Sequence, residues 1–559
     1  MNPTHERILL TATCAALAAL TGTARAQRVV AETFGTQNLA RYGASLAAIA
    51  DIDGDGVPDL VVGEPHYDYA PGAGVLDSGA VVLRGSRTGI VRSHNVGLQS
   101  FGWFGSTVAG LGDVDGDGVP DWAGGSLSMG ASSSGYARVM SGFDGHSLWS
   151  VAGEPSSELG SSIAGIGDVS GDGRADVAIA APHNSNTHPH GFVRCYAGDT
   201  GVFHHHYAGL SQSDYGRCIA TFPDVTGDGK PELIVGEPQF TFTGSSSGRV
   251  YLQNPVAGGA ASIVWEQFTP FMSGWHAGEV VAAAGDVNGD NRPDVLVGTT
   301  SNRVGVLSGL DGSVLRWHSS TDAGYGSSLA GIGDFDGDGR SDYAVGAPQA
   351  NAGSGRVIVY SGITGGVLAM IDGAAGSNFG AALAPIGDLD GDGRADFAVG
   401  APMQSSGGQI LGRVSIHAWS IAPIGDTFGT GCAGASGTPD VYIAGTPRVG
   451  ASFDTRCGNL PTNCVGFWLT GLSNTTANGN PLPLDLAAFG FPGCQLLVSP
   501  DSSELFLLPG GGYTSRTITV PNVPALAGVF LYTQATALDP THVGGLTFSN
   551  GGRIRIGNS

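Results

Sequence analysis

The chain has 559 residues, 94 of them glycine, and a formal net charge of −23 at pH 7. That length exceeds one ordinary domain, and the 41% hydrophobic content is enough for a buried core. Glycine without a collagen period excludes a triple helix, and an acidic chain whose one lysine is Lys230 excludes a basic nucleic-acid footprint.

In chain order, residues 1–26 read as a secretory signal peptide. Arg7 closes a short n-region, ILLTATCAALAAL (8–20) is the apolar segment, and ARA (24–26) fits small-x-small cleavage. The mature chain is expected to start at Gln27. Cys14 lies inside the apolar segment, and the TAT before it is no lipobox. No later stretch approaches the ~18 apolar residues needed to span a bilayer. A secreted, extracytoplasmic protein without a membrane span is expected.

From residue 28 to about 420 the chain repeats. DIDGDGVPD (51–59) has relatives at 113–121, 168–176, 224–232, 286–294, 334–342 and 388–396, and these seven windows hold 25 of the 48 Asp and Glu residues. Each unit has the same order of parts. Unit six shows it best: YGSSLAGIGD (325–334), the acidic loop, YAVGAP (343–348), GRVIVYSG (355–362) and GGVLAMIDG (365–373). Four short apolar or alternating runs between Gly, Asp, Asn and Ser turns read as four antiparallel strands, and no run sustains a helical period. Seven such units imply an all-β chain with a seven-bladed β-propeller over 27–420. The seventh unit offers GRVSIHAW (412–419) and no fourth strand, so RVVAETF (28–34) is expected to supply it and close the ring.

Numbering each loop 1–9, positions 1, 3, 5 and 9 offer side-chain oxygens. They are Asp51, Asp53, Asp55 and Asp59 in loop one and Asp113, Asp115, Asp117 and Asp121 in loop two. Loop three has Asp168, Ser170, Asp172 and Asp176; loop four has Asp224, Thr226, Asp228 and Glu232. Loop five has Asp286, Asn288, Asp290 and Asp294, loop six Asp334, Asp336, Asp338 and Asp342, and loop seven Asp388, Asp390, Asp392 and Asp396. Hard oxygen donors in an irregular cage suit Ca²⁺, with Mg²⁺ second. An EF-hand would need Glu at position 12, where this chain has Val62, Gly124, Ile179, Val235, Val297, Val345 and Val399. Up to seven structural Ca²⁺ ions are expected, at affinities of about 10⁻⁴–10⁻³ M. Binding should be weaker where Ser170, Thr226 and Asn288 replace an aspartate.

The units resemble FG-GAP repeats, as in the integrin α-subunit propeller. The FG element stands as Tyr42-Gly43, Phe104-Gly105, Leu159-Gly160, Tyr215-Gly216, Tyr325-Gly326 and Phe379-Gly380. The GAP element stands as GEP (63–65), AAP (180–182), GEP (236–238), GAP (346–348) and GAP (400–402). Unit two departs with GSL (125–127), and unit five with WH (275–276) and GTT (298–300). The resemblance implies that partners engage the face opposite the acidic loops. Its loops carry Tyr67, Tyr69, Phe240, Phe242, Phe271 and Trp275, which either anchor a protein or glycan ligand or pack between blades. His183, His188 and His190 with HHH (204–206) fit a solvated surface better than a transition-metal site.

GSSSG (244–248) matches G-x-S-x-G but follows no strand-to-helix elbow. HExxH, P-loop and dinucleotide motifs are missing, so a non-enzymatic ligand-binding or adhesion module is expected. A polysaccharide-active enzyme and a structural envelope or matrix component are the alternatives.

Residues 421–559 have no acidic loop. Four cysteines and alternating runs such as TSRTITV (514–520) and GVFLYTQA (528–535) read as a small disulfide-bonded β-sandwich. FGTGCAG (428–434), LPLDLAAFGFPGC (482–494) and GGLTFSNGGRIRIG (544–557) resemble a C-terminal module of secreted bacterial proteins. Export leaves six cysteines, an even number that favours disulfides. Cys457–Cys464 and Cys432–Cys494 are the expected pairs. Cys195 and Cys218 either pair or remain two buried thiols.

Overall fold

The computed structural model describes residues 27–557, apart from 70–75, 98, 128–133, 183–189, 210–212, 242–245, 256–261, 269–273, 390–393, 420–423, 430, 434–437, 445–446, 462–463, 478–479, 490, 509–511, 524–525, 541–542 and 544. The expected signal peptide, Phe242, Phe271, Asp390, Asp392, His183 and His188 lie outside the described residues. Arg28–Asp390 with Arg394–Trp419 form one compact unit, and Ser420–Ser559 belong to a second.

Among the described residues, the first unit holds seven four-stranded sheets. Blade one is Ser45–Ile49, Asp59–Glu64, Ala80–Arg84 and Val91–Val96, each strand antiparallel to the next. The burial of each strand follows its pattern. DLVVGE, the second strand, is buried at every position because blades cover both of its faces. VRSHNV, the fourth, is mostly exposed or half-buried at the outer rim. The innermost strands of successive blades touch in order around the ring, and Ala382–Gly387 of blade seven touches Ser45–Ile49 of blade one.

Gln27–Phe34 joins Arg413–Trp419 as the outer strand of blade seven. The core at this closure mixes both ends of the unit: Leu60 and Val62 pack with Ala384, Val414 and Ile416, and Val30 and Ala31 lie against them. At 20–30 cal/mol per Å² of apolar surface, such shared cores are the main attraction between blades.

The FG and GAP elements form a second, polar seam. In blade two the Gly105 N–H donates to the Gly125 carbonyl at 2.9 Å. The same bond recurs from Gly160 to Ala180 at 2.9 Å, Gly326 to Gly346 at 2.9 Å and Gly380 to Gly400 at 2.9 Å. Gly105 needs φ = +88°, which an L side chain rarely adopts. The residue before each such glycine is a buried plug: Tyr42, Phe104, Leu159, Tyr215, Tyr325 and Phe379 are all nearly inaccessible. In unit five the element is Ala277-Gly278, not the WH before it. Gly278 has φ = +94° and donates to Gly298 at 3.2 Å, while Ala277 is fully buried.

The second unit contains a five-stranded sheet and a three-stranded sheet (Asp440–Ala444, Ser452–Leu460, Gly512–Thr519). Val441, Cys457 and Leu460 of the smaller sheet share a core with Trp468, Ala535 and Ala537 of the larger, as in a sandwich. Cys432 and Cys494 are joined by a disulfide. The expected Cys457–Cys464 pair is not formed, and of the two alternatives for Cys195 and Cys218 the free thiols are observed. Cys457 and Cys464 are separate buried thiols. Cys218 accepts the Val281 N–H at 3.4 Å, toward blade five, whereas Cys195 is packed in the core between blades three and four.

Candidate metal centres

Each acidic loop joins the first and second strands of its blade, so all seven open on one face of the ring. Position 1 organises the loop backbone. Asp51 Oδ1 accepts the Gly54 N–H at 2.7 Å and Oδ2 accepts the Gly56 N–H at 2.7 Å. Asp113, Asp168, Asp224 and Asp334 repeat the pattern with their own glycines. Asp286 repeats it with Gly289 and Asn291, and Asn291 takes the left-handed conformation at φ = +63°. These donors, the Gly56 N–H first, hold the Asp51 carboxyl below the usual carboxylate range.

Position 5 closes a local turn. Asp55, Asp117, Asp172, Asp228, Asp290 and Asp338 each accept the N–H two residues on, at 2.8–3.1 Å.

Position 9 is the anchor. Asp59, Asp121, Asp176, Glu232, Asp294, Asp342 and Asp396 are all fully buried. Asp59 Oδ2 accepts the Ile52 N–H at 2.9 Å, and its Oδ1 accepts the Ser86 N–H at 3.0 Å from the turn between the third and fourth strands. Gly142, Gly198, Gly309 and Gly362 donate in the same way to Asp121, Asp176, Asp294 and Asp342. One carboxylate therefore ties two turns of a blade together. In loop four Glu232 accepts from Val225 and Thr226, while Asn254 reaches Asp228 at 2.6 Å. Burial pushes Asp121 and Asp294 up to about 6 and Asp342 up to about 7. A nearby divalent cation would reverse that by favouring the ionised form.

The structure gathers three acids in each of four loops. Asp51, Asp53 and Asp59, then Asp113, Asp115 and Asp121, then Asp334, Asp336 and Asp342 each offer oxygens within 4.8 Å of one another, as do Asp224, Asp228 and Glu232. No such triad forms among the described residues of loops three and five, where Ser170 and Asn288 stand at position 3. Loop seven is described at Asp388 and at Asp396, which accepts the Leu389 N–H at 2.8 Å. The donor set fits a hard cation: Asp53 Oδ1 and Asp55 Oδ2 are hidden from solvent with no hydrogen bond.

On the opposite face, Tyr69 is 53% exposed. The other described aromatics are half-buried against neighbours. Tyr67 meets His94 edge-on at 4.8 Å, Phe240 lies under the Arg249 guanidinium at 3.8 Å, and Trp275 meets Trp317 at 5.0 Å with Arg303 over its ring at 4.7 Å. Tyr67 belongs to blade one, Phe240 to blade four and Trp275 to the connection into blade five. Sequence reasoning missed Ser86, Gly142 and their counterparts, because nothing in a third-to-fourth turn marks it as the partner of an aspartate some twenty residues earlier.

Repeated loops, glycine bonds and aromatic plugs together match a known repeat. Residues 42–83, 159–201 and 379–417 match the FG-GAP repeat, and 224–297 and 286–345 match the FG-GAP-like repeat. The chain carries FG-GAP repeats in blades one, three and seven and FG-GAP-like repeats across blades four to six. Integrin alpha pat-2 of Caenorhabditis briggsae is 37% identical over 114 residues, 19% of this chain and 8% of its own. Human integrin alpha-X is 34% identical over 177 residues, 29% of this chain and 15% of its own. Bovine phosphatidylinositol-glycan-specific phospholipase D is 28% identical over 236 residues, 39% of this chain and 26% of its own. The chain thus matches 26% or less of these relatives' lengths. Among solved structures, Chaetomium thermophilum Raptor superposes with a TM-score of 0.43 at 12% identity, over 69% of this chain and 29% of its own, a likeness too slight to carry an argument. The repeats are integrin-α-like in sequence, and no helix among the described residues is long and apolar enough to cross a membrane.

Proposed function

We propose that this chain is an exported, Ca²⁺-stabilised FG-GAP propeller that binds a protein or glycan on the face opposite its acidic loops. Residues 1–26 act as the signal peptide, 27–420 form the binding propeller, and 421–559 form an accessory domain. The observation that carries the calcium reading is the pair of hidden, undonated oxygens on Asp53 and Asp55 beside Asp51 and Asp59. Position 1, 3, 5 and 9 residues hold the ion, with Ser170, Thr226 and Asn288 as weaker neutral donors. Bound calcium supplies the positive charge that four close carboxylates otherwise lack. The integrin-like repeat supports ligand binding over catalysis. Of the described candidate aromatics Tyr69 is the exposed one, and Tyr67, Phe240 and Trp275 flank the same face.

The test has two arms. Equilibrium dialysis should show several Ca²⁺ ions bound at around millimolar affinity, with at least one lost in Asp53→Asn/Asp55→Asn. Binding to immobilised glycans and purified cell-surface proteins should be saturable in calcium and lost in chelator. Calcium uptake without any saturable ligand would remove the adhesion reading and leave a structural envelope component.

A further inference from the structure

Position 7 of the acidic loops is basic in blades three to seven: Arg174, Lys230, Arg292, Arg340 and Arg394. Arg174 pairs with Asp199 of its own blade at 3.3 Å, and all five side chains also reach back to the preceding blade. Arg340 Nη1 lies 3.4 Å from Asp286 Oδ2, the position 1 carboxylate of the preceding blade. Its guanidinium covers Gly289, where any Cβ would collide with it. Arg394 lies over Gly337 in the same manner, with Nε 2.9 Å from the Cβ position, and Arg174 over Gly116 at 3.2 Å. Lys230 Nζ donates to the Val169 carbonyl at 2.8 Å, and Arg292 Nη1 to the Val225 carbonyl at 3.3 Å, each at position 2 of the preceding loop.

We propose that these basic residues are built-in counter-charges, each set on the loop of the preceding blade, and that they decide how strongly that loop takes up a divalent cation. The inference rests on the calcium reading above and deepens it.

Loops one and two are an internal control. DIDGDGVPD and DVDGDGVPD differ only in Ile52 against Val114. Loop two carries Arg174 over its glycine. Blade two has Val119 at position 7, so loop one receives no such side chain, and the Cβ position of Gly54 has nothing within 4 Å. Arg87, from blade one itself, meets loop one at the Asp55 carbonyl, 3.3 Å away, and reaches the Leu389 carbonyl at 2.8 Å. Among the described residues, the position 3 and 5 oxygens hidden without a hydrogen bond are both in loop one, Asp53 Oδ1 and Asp55 Oδ2. Among the described residues, loop one thus has a guanidinium only from its own blade, at the Asp55 carbonyl, and none from the blade that follows. Glycine at position 4 has a second role here: it leaves the flat surface on which the neighbour's guanidinium rests.

A divalent ion and a guanidinium a few ångströms apart repel enough, even in water-like screening, for an affinity change of roughly tenfold. Loop one is therefore the tightest of the two matched sites, and loops two, five and six keep more of their folded stability when calcium is withdrawn.

The test compares the whole chain with Arg174→Gln/Arg340→Gln/Arg394→Gln and with the matching triple Lys variant. Calcium titration calorimetry and thermal unfolding in chelator are the readouts. The Gln triple should gain sites roughly tenfold tighter and unfold at a lower temperature in chelator, with calcium restoring the difference. The Lys triple keeps the charge and should behave like the parent on both readouts. If Gln and Lys variants match each other, the guanidiniums act by packing alone and the proposal is overturned. If the parent binds no calcium, the calcium reading fails separately. The counter-charge is then judged on the chelator midpoints, which support it only if Gln falls and Lys does not.

Discussion

The carbonyl oxygen of Gly43 fills the place where a side chain on Gly400 would begin. Gly400 is the GAP glycine of the last blade and Gly43 the FG glycine of the first, so this contact is the polar seam at the point where the ring closes. The Gly43 N–H is engaged with the Gly63 carbonyl at 3.1 Å and cannot swing aside without losing that bond. Gly400→Ala should cost about 1–3 kcal/mol by overpacking. Gly366→Ala, in a turn where the Thr364 hydroxyl is the near neighbour at 3.1 Å, should stay within about 0.5 kcal/mol. Denaturant unfolding of both variants checks this, and equal losses would remove the special place given to the seam.

Glu237 and Arg249 form a buried ion pair in blade four at 2.6 Å, 0% and 7% exposed, with Ser213 and Tyr251 also on the carboxylate. Arg249→Met leaves that carboxylate buried without its cation and should destabilise by about 3–5 kcal/mol. Glu237→Gln/Arg249→Met removes the charge as well and should recover part of the loss. A double variant no better than the single would place the cost in lost packing on Phe240.

Acid should loosen the propeller through two histidines. Burial first, with Arg316 and Arg413 adding, pushes His318 down to about 4 and His417 down to about 3. Both are neutral when folded, so their contribution is full above about 6.5 and is lost as pH falls towards those values, by up to about 1.4 kcal/mol per pH unit for each. The buried loop aspartates act oppositely: Asp121, Asp294 and Asp342, with raised values, favour the fold as pH falls from about 7 towards 4. The histidine share is isolated by difference. Between pH 7 and pH 4.5, His318→Phe/His417→Phe should lose less stability than the parent, and an unchanged loss would exclude the histidines as the acid-sensitive groups.

In the second unit, Cys432–Cys494 closes a stretch with a sequence separation of 62. A crosslink of that span is worth roughly 4 kcal/mol in the chain-entropy account. Cys432→Ser/Cys494→Ser should unfold this unit earlier and leave the propeller transition in place, visible as two calorimetric peaks where the parent shows closer ones.

The propeller was legible because its repeat carries three elements in order, and each has a physical duty the structure displays. The FG glycine needs a positive φ, the GAP strand is buried on both faces, and the acidic loop needs glycine to curl. In sequence the FG element of unit five reads as the WH at 275–276, because Ala277 is a small plug where other units use Tyr, Phe or Leu, and the glycine alone keeps the conformation. Position 9 reads in sequence as a fourth ligand of equal rank. In the fold it is also the buried clamp on a distant turn, a fact set by the blade's tertiary register. Among the cysteines the Cys432–Cys494 pair was legible, but spacing says nothing of direction elsewhere: Cys218 faces blade five, and Cys457 and Cys464 sit as thiols in a shared core.

The outer strand of blade seven comes from Gln27–Phe34, and Glu32 meets Arg413 across 381 positions of chain. Blades one to six can each form from neighbouring residues, because their strands are consecutive. The seventh cannot, and the chain must bring its two distant ends together before the last sheet has its fourth strand. The entropy of that closure rises only with the logarithm of the loop, but contacts of such separation slow folding strongly. Until they form, two sheet edges stay open to other chains. The ring's weak moment is therefore in time more than in space, and cutting the circle between two other blades would move that moment without shortening it.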